Sequence, residues 1–388
     1  MKFGGSSVKD EAAIGRVMAI VRKHLDEKPV VIVSALAAVT RQLLALAEAA
    51  RSGDSETAEK ILNYLEIRHI DLAAQLSSGS LLQDVRENII RVMSGLYSDV
   101  SACICGSWTS TPEAFQAAII SHGELLSSMV INAAMNCAGI PCKLLDARKM
   151  VITDDNFLSA AVDMDKTCAN ISEAVGQAFD EAQVVLSQGF IATSRSGKPT
   201  VLGFEGSDYT AAIFGLATGA DAVDIWTDVD GVRSADPRIV EGTVCVPSLS
   251  YEEASDMALL GARVLHPLTI RPARMKDIPI NVRNTSNPDG EFSTVCDRHL
   301  VPGPKVVALL KGKDVSEMGV GEFEDLHCRP GETVVSIIGI GCGSDARVAD
   351  AVRAAGYKAM VRPDSVSAIV PDDAAVSVAR AFHKAICK

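Results

Sequence analysis

The run Val30-Val31-Ile32-Val33-Ser34, opened by Pro29, constrains this chain more than any other feature. Its β-branched apolar residues leave no polar face for solvent, so it reads as a strand covered on both sides. Such strands belong to parallel sheets, whose crossover connections lay helices over the faces. The neighbouring sequence agrees. Residues 13–25 place Ile14, Val17, Met18, Ile20 and Val21 on one side of an amphipathic helix. Helical patterns return at about 41–51, 56–77, 80–98 and 159–181, and 113–138 reads as one long helix. Strand-like runs fall at 141–145, 184–188, 221–226 and 278–282. A short piece at 201–206 leads into a helix over 207–216. Strands alternating with helices predict an α/β domain, with a mainly parallel central sheet and helices on both faces.

The style changes near Pro302-Gly303-Pro304. Beyond it come a strand at 333–340, a helix at 344–355, two strands at 358–362 and 366–370, and a helix at 373–386. Two strands paired between helices predict a small ferredoxin-like unit. The expected domains are therefore 1–300 and 305–388, with 305–332 left open as a strand-like start and a Gly- and Glu-rich stretch.

With 48% hydrophobic and 22% charged residues in 388, the chain can bury a large core. Its formal net charge of -12 argues against nucleic acid and anionic membrane surfaces as partners. No apolar run is expected to cross a bilayer, and Met1-Lys2-Phe3-Gly4-Gly5 is not expected to open a signal peptide. None of the 10 cysteines forms a CxxC pair. They are expected as small buried apolar residues in a reducing cytoplasm, not as metal ligands or disulfides.

Four segments carry chemistry. Lys2-Phe3-Gly4-Gly5-Ser6-Ser7-Val8 joins a strand to a helix. Its glycines let backbone N–H groups approach phosphate oxygens, and Lys2 adds a mobile cation. A plain strand-to-helix turn explains the same residues. Gly203-Phe204-Glu205-Gly206-Ser207-Asp208 is a second glycine-rich helix entry, where Asp208 either caps the helix or positions Lys2 and a substrate. Trp226 to Arg238 (WTDVDGVRSADPR) is a turn by its Gly and Pro, but its acids and arginines suit a nucleotide. In Ser121-His122-Gly123-Glu124, the glutamate is either a first-turn acid favoured by the helix dipole or a buried partner for an ammonium group.

Taken together, these segments resemble the aspartate kinases of the amino acid kinase family, in order and over nearly the whole chain. The most specific pieces are WTDVDGV…DPR and Tyr251 to Pro267 (YEEASDMALLGARVLHP). The resemblance implies an amino acid kinase fold followed by ACT-type regulatory modules. It implies transfer of the ATP γ-phosphoryl group to the aspartate β-carboxylate with Mg2+, and a homodimer built through the ACT-like region. By position, Lys2 and Asp208 would be catalytic. Gly5, Ser6, Ser34, Thr40, Glu124 and Ser207 would hold the amino acid. Gly4, Thr227, Asp228, Arg233, Arg238 and Arg263 would hold the nucleotide.

The chain departs from the family pattern in places. Phe204 stands where an arginine usually clamps the substrate carboxylate, which leaves a different acid, or a catalytically poor homologue, as alternatives. Arg41 follows Thr40, where Asn or Asp is usual, and reads better as a surface residue. Arg263 and Arg233 replace a lysine and an aromatic. Only one complete ACT unit plus a remnant fits after residue 304. Lys2 is expected on a weakly held end, because little chain precedes it.

Overall fold

The computed structural model describes residues 1–203, 205–262, 265–298, 300–311, 326 and 328–387. They form two compact units, Met1–Asp228 and Val229–Lys388.

The first unit opens with strand β1 (Lys2–Phe3), helix α1 (Glu11–Lys23) and strand β2 (Val30–Val33). Asp10 caps α1 by accepting from Ala13 N–H, and Ile14, Val17, Ile20 and Val21 form its buried stripe. Five helices follow: α2 (Val39–Ser52), α3 (Ser55–Leu76), α4 (Gly79–Ile104), α5 (Pro112–Ile120) and α6 (His122–Cys137). They pack against one another, and α6 reaches the sheet. The remainder comprises β3 (Cys142–Leu145), α7 (Ala147–Met150), β4 (Ile152–Thr153), α8 (Met164–Ala178), β5 (Val184–Gln188), β6 (Ile191–Ser194), β7 (Pro199–Val201), α9 (Gly206–Thr218) and β8 (Val223–Thr227).

Within this unit the strands run β3-β5-β2-β1-β8, all parallel. The all-apolar β2 lies inside the sheet, as its sequence demands. Lys2 is not on a weakly held end. It pairs with Ile32 and Ile225, Phe3 pairs with Val33 and Trp226, and the Met1 ammonium donates to Val30 O at 2.8 Å. Ladders on both flanks hold the two residues of β1 despite its length.

Several local expectations are corrected. The helix expected over 113–138 is two helices meeting at Ser121. Together Pro112–Cys137 have the length and apolarity of a membrane-crossing segment, contrary to the expectation that no run does, but 83% of the window is buried inside the protein. The helix expected from 159 starts at Met164, because Thr153 bridges Val162 and Asp163 caps the helix. The segment between β5 and α9 forms the hairpin β6–β7, which β4 joins in a small three-stranded sheet, β4-β6-β7. As for the cysteines expected to be buried, Cys296, Cys328 and Cys342 are, Cys103, Cys142, Cys168 and Cys245 are half-buried, and Cys105, Cys137 and Cys387 are exposed.

The second unit contains β9 (Ser248–Leu249), α10 (Tyr251–Leu259), α11 (Pro267–Met275), β10 (Ile280–Asn284) and β11 (Ser293–Val295). Here β11 lies between antiparallel β10 and parallel β9. Then come β12 (Val306–Lys311), β13 (Glu332–Ile338), α12 (Ala346–Ala355), β14 (Ala359–Val361), β15 (Ser365–Pro371) and α13 (Ala375–Ile386). These four strands form an antiparallel sheet ordered β12-β13-β15-β14, with α13 packed against β12 and β13. The hairpin β14–β15 lies between two helices, as the ferredoxin-like reading expects.

The apolar core of this sheet also takes in Ala235 and Val240, far earlier in the sequence. Glu253 on α10, its side chain fully buried, pairs with Lys305 at 2.7 Å and accepts from Ile340 N–H at 2.9 Å.

Candidate active site

A cavity of about 340 Å³ in the first unit gathers Lys2, Gly5, Ser34, Thr40, Glu124, Ser207 and Asp208. These are seven residues expected to hold or act on an acceptor. Helices α2 and α9 begin here, and Thr40 and Asp208 lie in their first turns, so N-terminal partial positive charge faces the cavity.

Asp208 does not cap its helix. The N-cap of α9 is Glu205, which makes no side-chain cap bond, and Asp208 instead pairs with Lys2, Nζ to Oδ1 at 2.5 Å. Close backbone approach fixes that helix start. A Cβ on Gly189 would lie 2.6 Å from Ser207 Cβ, and one on Gly206 would lie 2.9 Å from the Phe190 ring. Only residues without side chains let α9 enter so near the end of β5.

Glu124 is 3% exposed. Its Oε1 accepts from Ala35 N–H at 3.1 Å, and its buried Oε2 has no partner among the described residues. Burial pushes its carboxyl up to about 8, against the smaller opposing effects of the Ala35 amide and of Lys2. A buried carboxyl oxygen left without a donor costs free energy unless a ligand completes it. Gly123 brings this residue against the 34–38 loop, since a Cβ there would sit 2.8 Å from Ala35 Cβ. Ser127 Oγ donates to Ser34 O at 2.8 Å and steadies the same loop.

The other expected residues fall elsewhere. Ser6 is exposed and does not line the cavity. A Cβ on Gly4 would lie 3.5 Å from Lys2 Nζ. Thr227 Oγ1 donates to Asp228 Oδ1 at 3.2 Å, at the end of β8. Arg41 is exposed on α2.

In the second unit, Arg233 donates to Thr243 O, and Arg238 forms a forked pair with Asp236, the closer contact at 2.7 Å. The Asp236 pair holds the Arg238 guanidinium charged and aligned, on a side chain 89% exposed. Arg263 and Phe204 lie outside the described residues.

Sequence reasoning missed Phe190, Glu205 and the 35–38 loop as cavity walls. Ala38, Phe190 and Glu205 all have positive φ, at 68°, 67° and 55°. Nothing in their residue types signals that conformation.

A cavity holding a Lys–Asp pair, helix starts and a buried acid, at the end of a parallel sheet, defines a kinase-like phosphoryl-transfer scaffold. The chain belongs to the amino acid kinase family, whose profile matches residues 1–284. Within that family its relatives are aspartokinases. Lysine-sensitive aspartokinase 3 of Escherichia coli is 33% identical over 330 residues, covering 84% of this chain and 70% of that protein. A bifunctional aspartokinase/homoserine dehydrogenase of Zea mays is 34% identical over 307 residues. The chain spans 32% of the length of that maize protein. The crystal structure of E. coli aspartokinase III in complex with aspartate and ADP superposes with a TM-score of 0.84 at 25% identity, covering 100% of this chain and 99% of that one.

Proposed function

We propose that this chain is an aspartate kinase. It transfers the ATP γ-phosphoryl group to the side-chain carboxylate of L-aspartate, forming 4-phospho-L-aspartate, the entry step to lysine, threonine and methionine biosynthesis. The observation that carries this reading is the unpartnered Oε2 of Glu124, in the cavity that also holds Lys2 and Asp208. An α-ammonium group is the natural complement of that oxygen.

The chemistry follows from charge. A carboxylate oxygen bonds to the γ-phosphorus as the bond to the ADP oxygen breaks, so two anions must meet. Lys2 neutralises the transferring group and Asp208 aims Lys2. The N–H groups at the starts of α2 and α9 add fixed positive ends that need no rearrangement. Gly5, Ser34, Thr40, Ser207 and Glu124 hold the amino acid. Gly4, Thr227, Asp228, Arg233, Arg238 and Arg263 serve the nucleotide.

Mg2+ would arrive on the phosphate oxygens, its usual mode of binding beside nucleotides. Residues 1–300 would form the catalytic domain and 305–388 an ACT-like module in a cytoplasmic homodimer. Val361, 62% exposed on edge strand β14, is the kind of residue such pairing covers.

A coupled ADP-release assay over a panel of acids tests the reading. Turnover confined to L-aspartate sustains it, turnover with another acid reassigns the acceptor, and no turnover with any acid overturns it. Phe204 gives a second arm. A large gain with aspartate in Phe204→Arg would mean that the native site is not tuned for aspartate.

A further inference from the structure

We propose that His383, on α13, is a positioning residue for the nucleotide turn, which it holds through Ser234. This rests on the nucleotide role of residues 227–238 proposed above. Ser234 is 1% exposed and follows Arg233 directly in the turn. Its hydroxyl oxygen accepts from Val244 N–H at 3.0 Å, which leaves the hydroxyl proton free to bond His383 Nε2, 2.8 Å away. Burial disfavours the charged imidazole, so a neutral ring accepts at Nε2, which Cys387 Sγ also approaches at 3.3 Å.

The joint is not a lone hydrogen bond. Ser234 N–H donates to Val244 O at 2.9 Å, and Val307 N–H donates to Ser234 O at 2.8 Å. Arg380, one turn before His383, donates to Ile239 O at 3.0 Å. Ala235 and Val240 are buried in one apolar cluster with Phe382 and Val307. The turn thus takes its polar and apolar anchors from α13 and β12. Arg233 and Arg238 stand immediately on either side of those anchors, so a shift at Ser234 is delivered to both guanidinium groups.

A purely structural bond would lower stability without choosing between substrates. A positioning bond acts on ATP. We expect Ser234→Ala and His383→Phe each to raise the KM for ATP roughly three- to tenfold, the worth of one buried neutral hydrogen bond. The KM for aspartate should stay within about twofold. The double variant should be no worse than Ser234→Ala alone, because Ser234→Ala already removes the bond to His383 along with the one from Val244 N–H. His383→Gln, whose amide oxygen can replace Nε2, should restore the ATP KM.

Amide exchange over residues 233–246 in the nucleotide-free protein is the second readout. It should quicken in both single variants, most at Val244. Equal changes in both KM values, additive effects, or unchanged exchange would overturn the proposal. If the unaltered protein turns over no ATP, the kinase reading fails instead, and the exchange measurement still decides whether the joint exists.

Discussion

Lys2 Nζ and Asp208 Oδ1 stand 2.5 Å apart, one carried by a two-residue strand and the other by the first turn of α9. The pair joins two elements separated by most of the first unit's sequence, and both side chains line the same cavity. If Lys2 neutralises the transferring phosphoryl group, Lys2→Met should lower kcat by about 10²–10³, the usual worth of one preorganised donor. Adding Asp208→Asn should cost little more, since Asp208 acts through Lys2. Steady-state kinetics check both. A Lys2→Met enzyme within tenfold of the native rate, roughly a third of that expectation on a logarithmic scale, removes Lys2 from the mechanism.

If Glu124 receives the acceptor's ammonium group, acceptor binding is a proton-coupled event. The folded carboxyl keeps its proton up to about 8, whereas its ordinary value is 4.5. A substrate ammonium favours the ionised form, so amino-acid binding near pH 7 should release a proton, and the KM for aspartate should fall as pH rises towards 8. Calorimetry in buffers of different ionisation enthalpy measures the release. Glu124→Gln should abolish it and weaken aspartate by roughly 10- to 100-fold, the worth of a charged hydrogen bond.

The same group sets a stability slope. Between 4.5 and about 8 the folded chain holds a proton that the unfolded chain has released. Stability therefore falls as pH rises through that window and levels off above it. Glu124→Gln should flatten this part of the pH–Tm curve in the absence of substrate. An unchanged slope would contradict the burial argument.

Gly189→Ala should be disproportionately harmful for so small a change. Its Cβ would meet Ser207 at 2.6 Å and push the start of α9, which carries Asp208, out of place. A displacement near 1 Å at a reacting centre costs about 10²-fold in rate. We expect kcat to fall far more than Tm, and circular dichroism to show an intact fold.

In the second unit, Lys305→Met should destabilise by about 3–5 kcal/mol, because it strands the buried Glu253 carboxylate. Replacing Glu253 as well, by an apolar residue of similar volume, should recover much of the loss. Urea unfolding of both variants checks this.

The parts of this architecture visible in the sequence were those fixed by local pattern. The run at Val30–Val33 is continuously apolar and β-branched, and Val184–Gln188 opens on Val-Val-Leu, which reads as strand by length and β-branching. The break at Ser121 was hidden because the apolar helical patterns over 112–120 and 125–137 are separated by only a few residues, too short a gap to show as a loop. The hairpin of Ile191–Ser194 and Pro199–Val201 was missed although Gly197, at φ 82°, marks its turn.

For the site, residue types pointed to Lys2, Asp208 and Glu124, but only packing distinguishes a helix cap from an ion pair. Glu124 reads as an ordinary first-turn acid until Gly123 is seen against Ala35. The tie between Ser234 and His383 spans 149 positions and leaves no trace in either neighbourhood.

The cavity's two walls differ in how far they can be altered. The wall made by residues 34–38 and Glu124 is keyed by close approaches that leave little room for an added methyl, at Gly5 against Ala35 O (3.0 Å) and at Gly123 against Ala35 Cβ (2.8 Å). The opposite wall carries the side chains of two left-handed residues, Phe190 in the turn after β5 and Glu205 at the start of α9. An engineer seeking a new acceptor acid has one surface more editable than the other, and libraries directed at positions 190 and 205 should yield altered selectivity where libraries at 5 and 123 displace the 34–38 loop and lose activity.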